Sequence, residues 1–257
     1  MSLYDWNSTS WNLREHPPRT ALLPVGALEQ FGPHLPLGTQ NYILDVIARG
    51  VGTKLLGNTY LLPTCPLGVS LQHRGFAGTV SLSWRTLAAA LTDVVDALLS
   101  EGICRVAVIV GLGGAACTTV MPRENRIVKT AVRRLNYDNP DLDAIWVQPL
   151  TVADPPLDTL FDAPGDDFHA GAVVTSIMMH LHPDLVREER IDYVPSRGSA
   201  YLDALPFKAL CPDGVWGNPS AASAALGERA LQAAIDGTVR YIEESFAQLA
   251  HIKQRTR

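Results

Sequence analysis

The stretch Leu22–Gln40, LLPVGALEQFGPHLPLGTQ, limits what this chain can fold into more than any other. It opens as an apolar, strand-like run, Ala21–Val25. It breaks at Gly26 into a loop carrying Glu29, Gln30, His34 and Gln40, with Pro33 and Pro36 between them. An apolar strand that empties polar groups into a Gly/Pro loop is how an α/β fold builds a site at the carboxyl edge of its sheet.

The rest of the chain alternates strands with helices. Ile43, Val46, Ile47, Val51 and Leu55 recur at helical spacing and predict a helix over Tyr42–Leu56. Tyr60–Pro63 reads as a short strand, followed by a glycine-rich loop, PLGVSLQHRGFAGTVSL. Ser83 is placed to cap a helix reaching Ser100, and Gly102 to end it. Arg105–Val110 is a near-continuous apolar strand of the kind buried on both faces of a parallel sheet. A helix over Pro122–Leu135, a strand at Ala144–Val147, a polar loop at Asp162–His169 and a helix at Ala170–Leu181 follow. Residues 190–220 read as irregular, and a long helix over Ala221–Ala250 closes the chain. This order predicts an α/β fold, a three-layer α/β/α sandwich around a mostly parallel sheet, in one domain over residues 1–257.

Charge and composition narrow the function. A net charge of −5 with scattered Lys and Arg argues against nucleic acid or an anionic membrane as partner. No apolar run approaches the ~20 residues that a bilayer span needs. The opening MSLYDWNSTSWN has neither a basic nor an apolar signal region. Its Trp6 and Trp11 are expected to pack on the domain or on a neighbouring subunit. Cys65, Cys104, Cys117 and Cys211 form no CxxC pair and read as free thiols in a reducing cytoplasm.

Gly111-Leu112-Gly113-Gly114-Ala115-Ala116 fits the G-x-G-x-x-A form of a dinucleotide fingerprint. However, the following strand ends in Gln148 and Pro149 rather than an acidic residue, and Pro122 interrupts the expected helix. We read the glycines as a tight strand-to-helix turn.

The site loop resembles the creatininase (creatinine amidohydrolase) signature, roughly PVG-x-x-EQHGPHLPL-x-TD. GVSLQHRGFAGTVSL resembles the family's second loop, with its S-x-E-H and F-P-G-T elements. RVAVIVGLGGA sits where the family has a strand and NGHGGN. FHAGAVVTSIMMHLHPDLV resembles its H-A-G-E-x-E-T-S segment, and GVWGNPSAASAALGERAL its G-D-P-x-x-A-S close. The resemblance covers most of residues 20–235. It implies a creatininase-like α/β/α fold, often assembled as a homo-oligomeric hexamer.

The resemblance also implies five positions that hold two divalent metals. In this chain they carry Glu29, Phe31, Gln40, Leu112 and Gly114. Only Glu29 is a ligand. A bridging carboxylate offsets the repulsion of two cations about 3.5–4 Å apart, and neutral Gln40 supplies no charge. Phe31 and Leu112 offer no lone pair. The expectation is therefore no catalytic metal and no other cofactor. His34 and His73 fall on family histidines that are not primary ligands. His169 matches a non-ligand histidine implicated in proton transfer.

Without metals, Glu29 and His169 make a usable acid/base pair near neutral pH. Desolvation would raise Glu29 unless a cation, His169 or Arg74, compensates. The structural alternative is that Glu29 only binds backbone N–H groups of its own loop. Cys117, near a helix start, is either a nucleophile or a small core residue. His34, Phe31, Gln40, Asn41, His73, Leu112, Asp167 and Trp216 are the candidate substrate-binding residues, with Trp216 alternatively packing at an interface.

The expected function is a metal-independent enzyme acting on a small nitrogen-rich or cyclic amide by cyclisation, dehydration, C–N rearrangement or hydrolysis. A specialised biosynthetic pathway would suit it. The alternatives are a pseudoenzyme that binds a ligand or partner subunit, and a conventional metal-dependent amidohydrolase with substituted ligands.

Overall fold

A computed structural model describes residues 2–111, 123–162 and 167–256. Five strands form one parallel sheet in the order β1-β3-β2-β4-β5. They are β1 (Leu3–Tyr4), β2 (Thr20–Val25), β3 (Thr59–Leu61), β4 (Arg105–Val110) and β5 (Asp143–Val147). The central pair, β2 and β4, runs in register from Thr20↔Arg105 to Val25↔Val110.

Period-two alternation along these strands makes the three layers. Leu22, Ala107, Ile109, Ile145 and Val147 face one core, closed by α2 (Thr39–Lys54), α5 (Ala172–Leu181) and α7 (Ala224–Thr256). Ala21, Leu23, Val25, Val106, Val108 and Val110 face the other, closed by α3 (Trp84–Ser100) and α4 (Arg123–Asp138). The expected α/β/α sandwich is the observed one. α7 crosses α5 backbone to backbone at Gly227, where an added Cβ would lie 1.9 Å from Ser176 O.

Local signals held where they were chemical. Ser83 accepts the Thr86 N–H at 3.1 Å and caps α3. Gly102 ends that helix region at φ +80. Four expectations need correction. The polar lead-in holds β1 and a short helix, α1 (Ser10–Glu15), which are too brief to show periodicity. Trp6 and Trp11 do not pack on the domain; they are 73% and 55% exposed. α2 begins at Thr39 rather than Tyr42, because the turn at Pro36 starts it. Gln40 and Asn41 therefore ride on a helix, not a loop. The irregular stretch also contains a helical turn, α6 (Phe207–Leu210).

Candidate functional site at the carboxyl edge

Four segments converge beyond the carboxyl ends of β2 and β3. The loop 26–38 leaves β2 and is closed on itself by the Glu29 N–H on Leu37 O at 3.3 Å. It is pinned to the next loop by a bridge between Leu28 and Val80. That second loop, 66–82, carries a 3-10 turn, Leu71–His73, that seats His73. The segment before α5 brings His169. Reciprocal N–H···O bonds of 2.9 Å join His169 to Trp216 in the fourth segment. Ala170, fully buried beside His169, sits at φ +55. A non-glycine residue there costs of order 1 kcal/mol or more and persists only where the surroundings enforce it.

The result is one compact cluster. Glu29 and His73 are buried and His169 is partly buried. His73 Nε2 lies 3.8 Å from Glu29 Oε1, beyond hydrogen-bond length. The His73 and His169 rings are 4.4 Å apart between centroids. Phe31 stacks on His169 at 4.5 Å. Phe207 lies against His73 at 4.9 Å and edge-on to His169 at 5.2 Å. His169 Nε2 donates to the Gln30 carbonyl at 2.7 Å, and Gln30 Nε2 lies 2.9 Å from His73 Nδ1.

Burial sets the charge states. It pushes both His73 and His169 down to about 3, and for His169 the neighbouring His73 adds to the effect while Glu29 opposes it. It pushes the Glu29 carboxyl up, against the opposing pull of His169 and Ser70. At neutral pH the cluster thus holds two uncharged imidazoles beside a carboxyl that burial raises above its ordinary value. Such a set can donate and accept protons.

The other candidates are placed as follows. His34 is fully enclosed, its Nε2 3.0 Å from Thr175 Oγ1, which ties the loop to α5; burial lowers it to about 4. Asp167 accepts the Val173 N–H at 2.7 Å and serves the start of α5; burial raises it to about 6. Trp216 supports His169 through the backbone, while its ring packs on Phe168 at 4.9 Å. Gln40 and Asn41 sit where α2 begins, the Gln40 amide against Gly111 and Asn41 on Pro66 O at 3.3 Å. No described hydrogen bond or ring contact joins those two to Glu29. Arg74 is exposed, and His169, pushed down to about 3 by burial, is not a cation at neutral pH. Leu112, Gly114 and Cys117 lie outside the described residues, as does most of the glycine turn.

The sequence reading missed Gln30, Ser70 and Phe207 as members of the site. Gln30 adjoins Glu29 inside the motif, and that adjacency was the available signal. Phe207 comes from the proline-rich irregular segment, where no periodicity points anywhere.

The family's paired metals do not fit these residues. Phe31 fills one ligand position with a ring stacked on His169, and a neutral amide stands at Gln40. What remains among the described residues is one three-donor cluster, Glu29, His73 and His169, with one ligand atom from each lying within 4.8 Å of the others. A mononuclear ion is the most that it would hold.

The class is therefore the α/β/α sandwiches that carry a site on loops at the carboxyl ends of parallel strands. The family model described as creatinine amidohydrolase matches residues 6–242, and the chain belongs to the creatininase family. A "Mycofactocin precursor peptide peptidase" of Mycobacterium ulcerans (strain Agy99) is 30% identical over 236 residues, 86% of this chain and 83% of that one. A "Creatinine amidohydrolase" of Pseudomonas putida is 27% identical over 239 residues, covering 88% and 89% of the two chains. A crystal structure of creatinine amidohydrolase (creatininase) superposes with a TM-score of 0.78 at 23% identity, over 94% of this chain and 97% of its own. These relatives are amidohydrolases and peptidases and support a hydrolase-type enzyme. Among the described residues no helix is long and apolar enough to cross a membrane.

Proposed function

We propose that the protein is an enzyme of small, nitrogen-rich or cyclic amides in which Glu29 and His169 move protons without a divalent metal. The observation that carries this reading is the enclosed Glu29–His73–His169 cluster, packed by Phe31 where the family resemblance places a metal ligand. In this reading Glu29, its carboxyl raised by burial, acts as the acid, and His169, neutral and partly open to solvent, as the base. Without a metal-bound hydroxide, cyclisation, dehydration or C–N rearrangement suits the pair better than hydrolysis of an unactivated amide. The substrates named in the titles of the relatives, creatinine and a precursor peptide, set the class to screen. The chain acts as one domain, and we extend to it the hexameric assembly that the resemblance implies.

The test is turnover of creatinine and short peptide amides, followed by mass spectrometry, in wild type, Glu29→Gln and His169→Ala. Loss of turnover in both, with folding intact, is expected. Equal turnover in all three would rule out the pair.

One observation favours a second reading, a mononuclear metallohydrolase: the three ligand atoms of Glu29, His73 and His169 converge. Metal analysis of protein purified without chelators separates the two. Stoichiometric zinc or manganese would overturn the metal-free mechanism.

A further inference from the structure

We propose that Gln30 is the positioning residue that fixes the tautomers of both histidines, so that His73 offers an N–H donor and His169 a bare acceptor nitrogen to the amide group of a substrate. The inference rests on the acid/base reading above and deepens it.

The assignment follows from groups whose roles are fixed. A backbone N–H only donates, and the Gly32 N–H reaches Gln30 Oε1 at 2.8 Å. The carboxamide oxygen is therefore the end at Gly32, and the NH2 end is the one 2.9 Å from His73 Nδ1. An amide NH2 also only donates. His73 Nδ1 must accept, so the proton of this neutral ring is on Nε2, the atom that faces Glu29. A backbone carbonyl only accepts, so His169 Nε2, 2.7 Å from Gln30 O, carries that ring's proton and leaves Nδ1 bare.

Gln30 is held so that it cannot relax out of this role. It is buried, and its main-chain N–H donates to Thr79 Oγ1 at 3.1 Å. Gly214, at φ +77, passes so close that a Cβ there would lie 1.9 Å from Gln30 Oε1. Turning the carboxamide over would set its NH2 against the Gly32 N–H and leave two donors facing each other. One residue thus contacts both rings, through its main chain on one side and its side chain on the other.

The ligand class follows from the pair presented. His73 Nε2–H is a neutral donor suited to a carbonyl oxygen, as an uncharged imidazole polarises a carbonyl in other enzymes. His169 Nδ1 is an acceptor suited to an N–H. A group offering one acceptor and one donor side by side, the cis amide of a lactam, matches both. A protonated His73 Nε2 also cannot ligate a metal, which ties this tautomer to the metal-free reading.

The experiment is a two-bond 1H–15N correlation of protein labelled with 15N-histidine, in the absence of substrate. Wild type should show His73 and His169 both protonated at Nε2. In Gln30→Glu the carboxylate accepts from Gly32 and from His73, so His73 should switch to the Nδ1–H form while His169, bound to the main-chain carbonyl, stays as it was. Turnover of the amide found active should fall roughly 100-fold in kcat with KM little changed. A wild-type His73 protonated at Nδ1 overturns the proposal, as does a Gln30→Glu variant whose His73 does not switch. Should that variant fail to fold, the wild-type spectrum decides alone. The stated tautomers together with undiminished turnover in Glu29→Gln and His169→Ala would sink the acid/base reading and leave the tautomer assignment standing.

Discussion

At the carboxyl ends of β2 and β3, Glu29, His73 and His169 crowd together under the rings of Phe31 and Phe207. Toward the ends of β4 and β5 the described residues offer carboxamides: Gln40 against Gly111, and buried Gln148 at the end of β5. Among the described residues the ionisable cluster thus lies toward β2 and β3, and these neutral amides toward β4 and β5. The difference follows from the cost of burying charge. A carboxylate held away from water needs a cation or a proton. An amide needs only hydrogen bonds. A neutral amide at Gln40 needs no cation, and the one carboxyl left, Glu29, is pushed up by burial and flanked by uncharged imidazoles.

The contrast is broken most strongly in catalysis. Glu29→Gln and His169→Ala should each lower kcat/KM by about 10³-fold, close to 4 kcal/mol of transition-state free energy. Gln40→Ala should change it by less than about tenfold. Steady-state kinetics on the same substrate compares them, and equal losses would erase the distinction between the two sides.

Stability comes next. Phe207 is fully buried between the two histidines and Phe168. Phe207→Ala should destabilise the fold by about 3–5 kcal/mol in urea denaturation.

Acid should test the buried ionisable groups as well. His34, His73 and His169 hold pKa values of about 4, 3 and 3 in the fold, against about 6.5 in an unfolded chain. As pH falls below about 6.5 the unfolded chain takes up protons that the fold refuses, and stability is lost. Asp167, raised to about 6, and Glu29, also raised, work in the opposite sense. They hold protons in the fold that the unfolded chain gives up, Asp167 adding stability as pH drops below about 6. The three histidines outweigh these two carboxyls, so a net loss of stability is expected between about pH 7.5 and 5.5. Thermal melts across that window would check it; an unchanged or rising Tm would contradict the buried, neutral histidines.

The smallest effect belongs to the amide side. Gln40→Ala should shift stability by no more than about 1 kcal/mol in the same urea titration. A larger loss would show that Gln40 carries structural weight in the fold.

Much of the scaffold was legible in the chain because it rests on local repetition. β4 reads directly as RVAVIV, and β2 as the run before Gly26. Ser83 and Gly102 mark the bounds of α3 by their own chemistry. Glu29 and His169 were also visible, since each sits in a motif. What stayed hidden was partnership. His169 meets Gln30 from 139 positions away, and Gln30 meets His73 from 43. The approach of Phe207, the left-handed turn at Ala170 and the space that Gly214 leaves for Gln30 depend on how loops cross, and no periodicity encodes that.

The amino-acid order by itself determined the layers, because alternating apolar strands and amphipathic helices bury their surfaces in only a few ways. It also determined which ionisable groups the family pattern had lost, since Phe31 has no lone pair to offer and Gln40 no charge. Only the tertiary structure decided which survivors meet and which nitrogen of each imidazole carries the proton. Those outcomes depend on distances of about 3 Å between segments far apart in sequence, and hydrogen-bond direction exists only once both partners are in place.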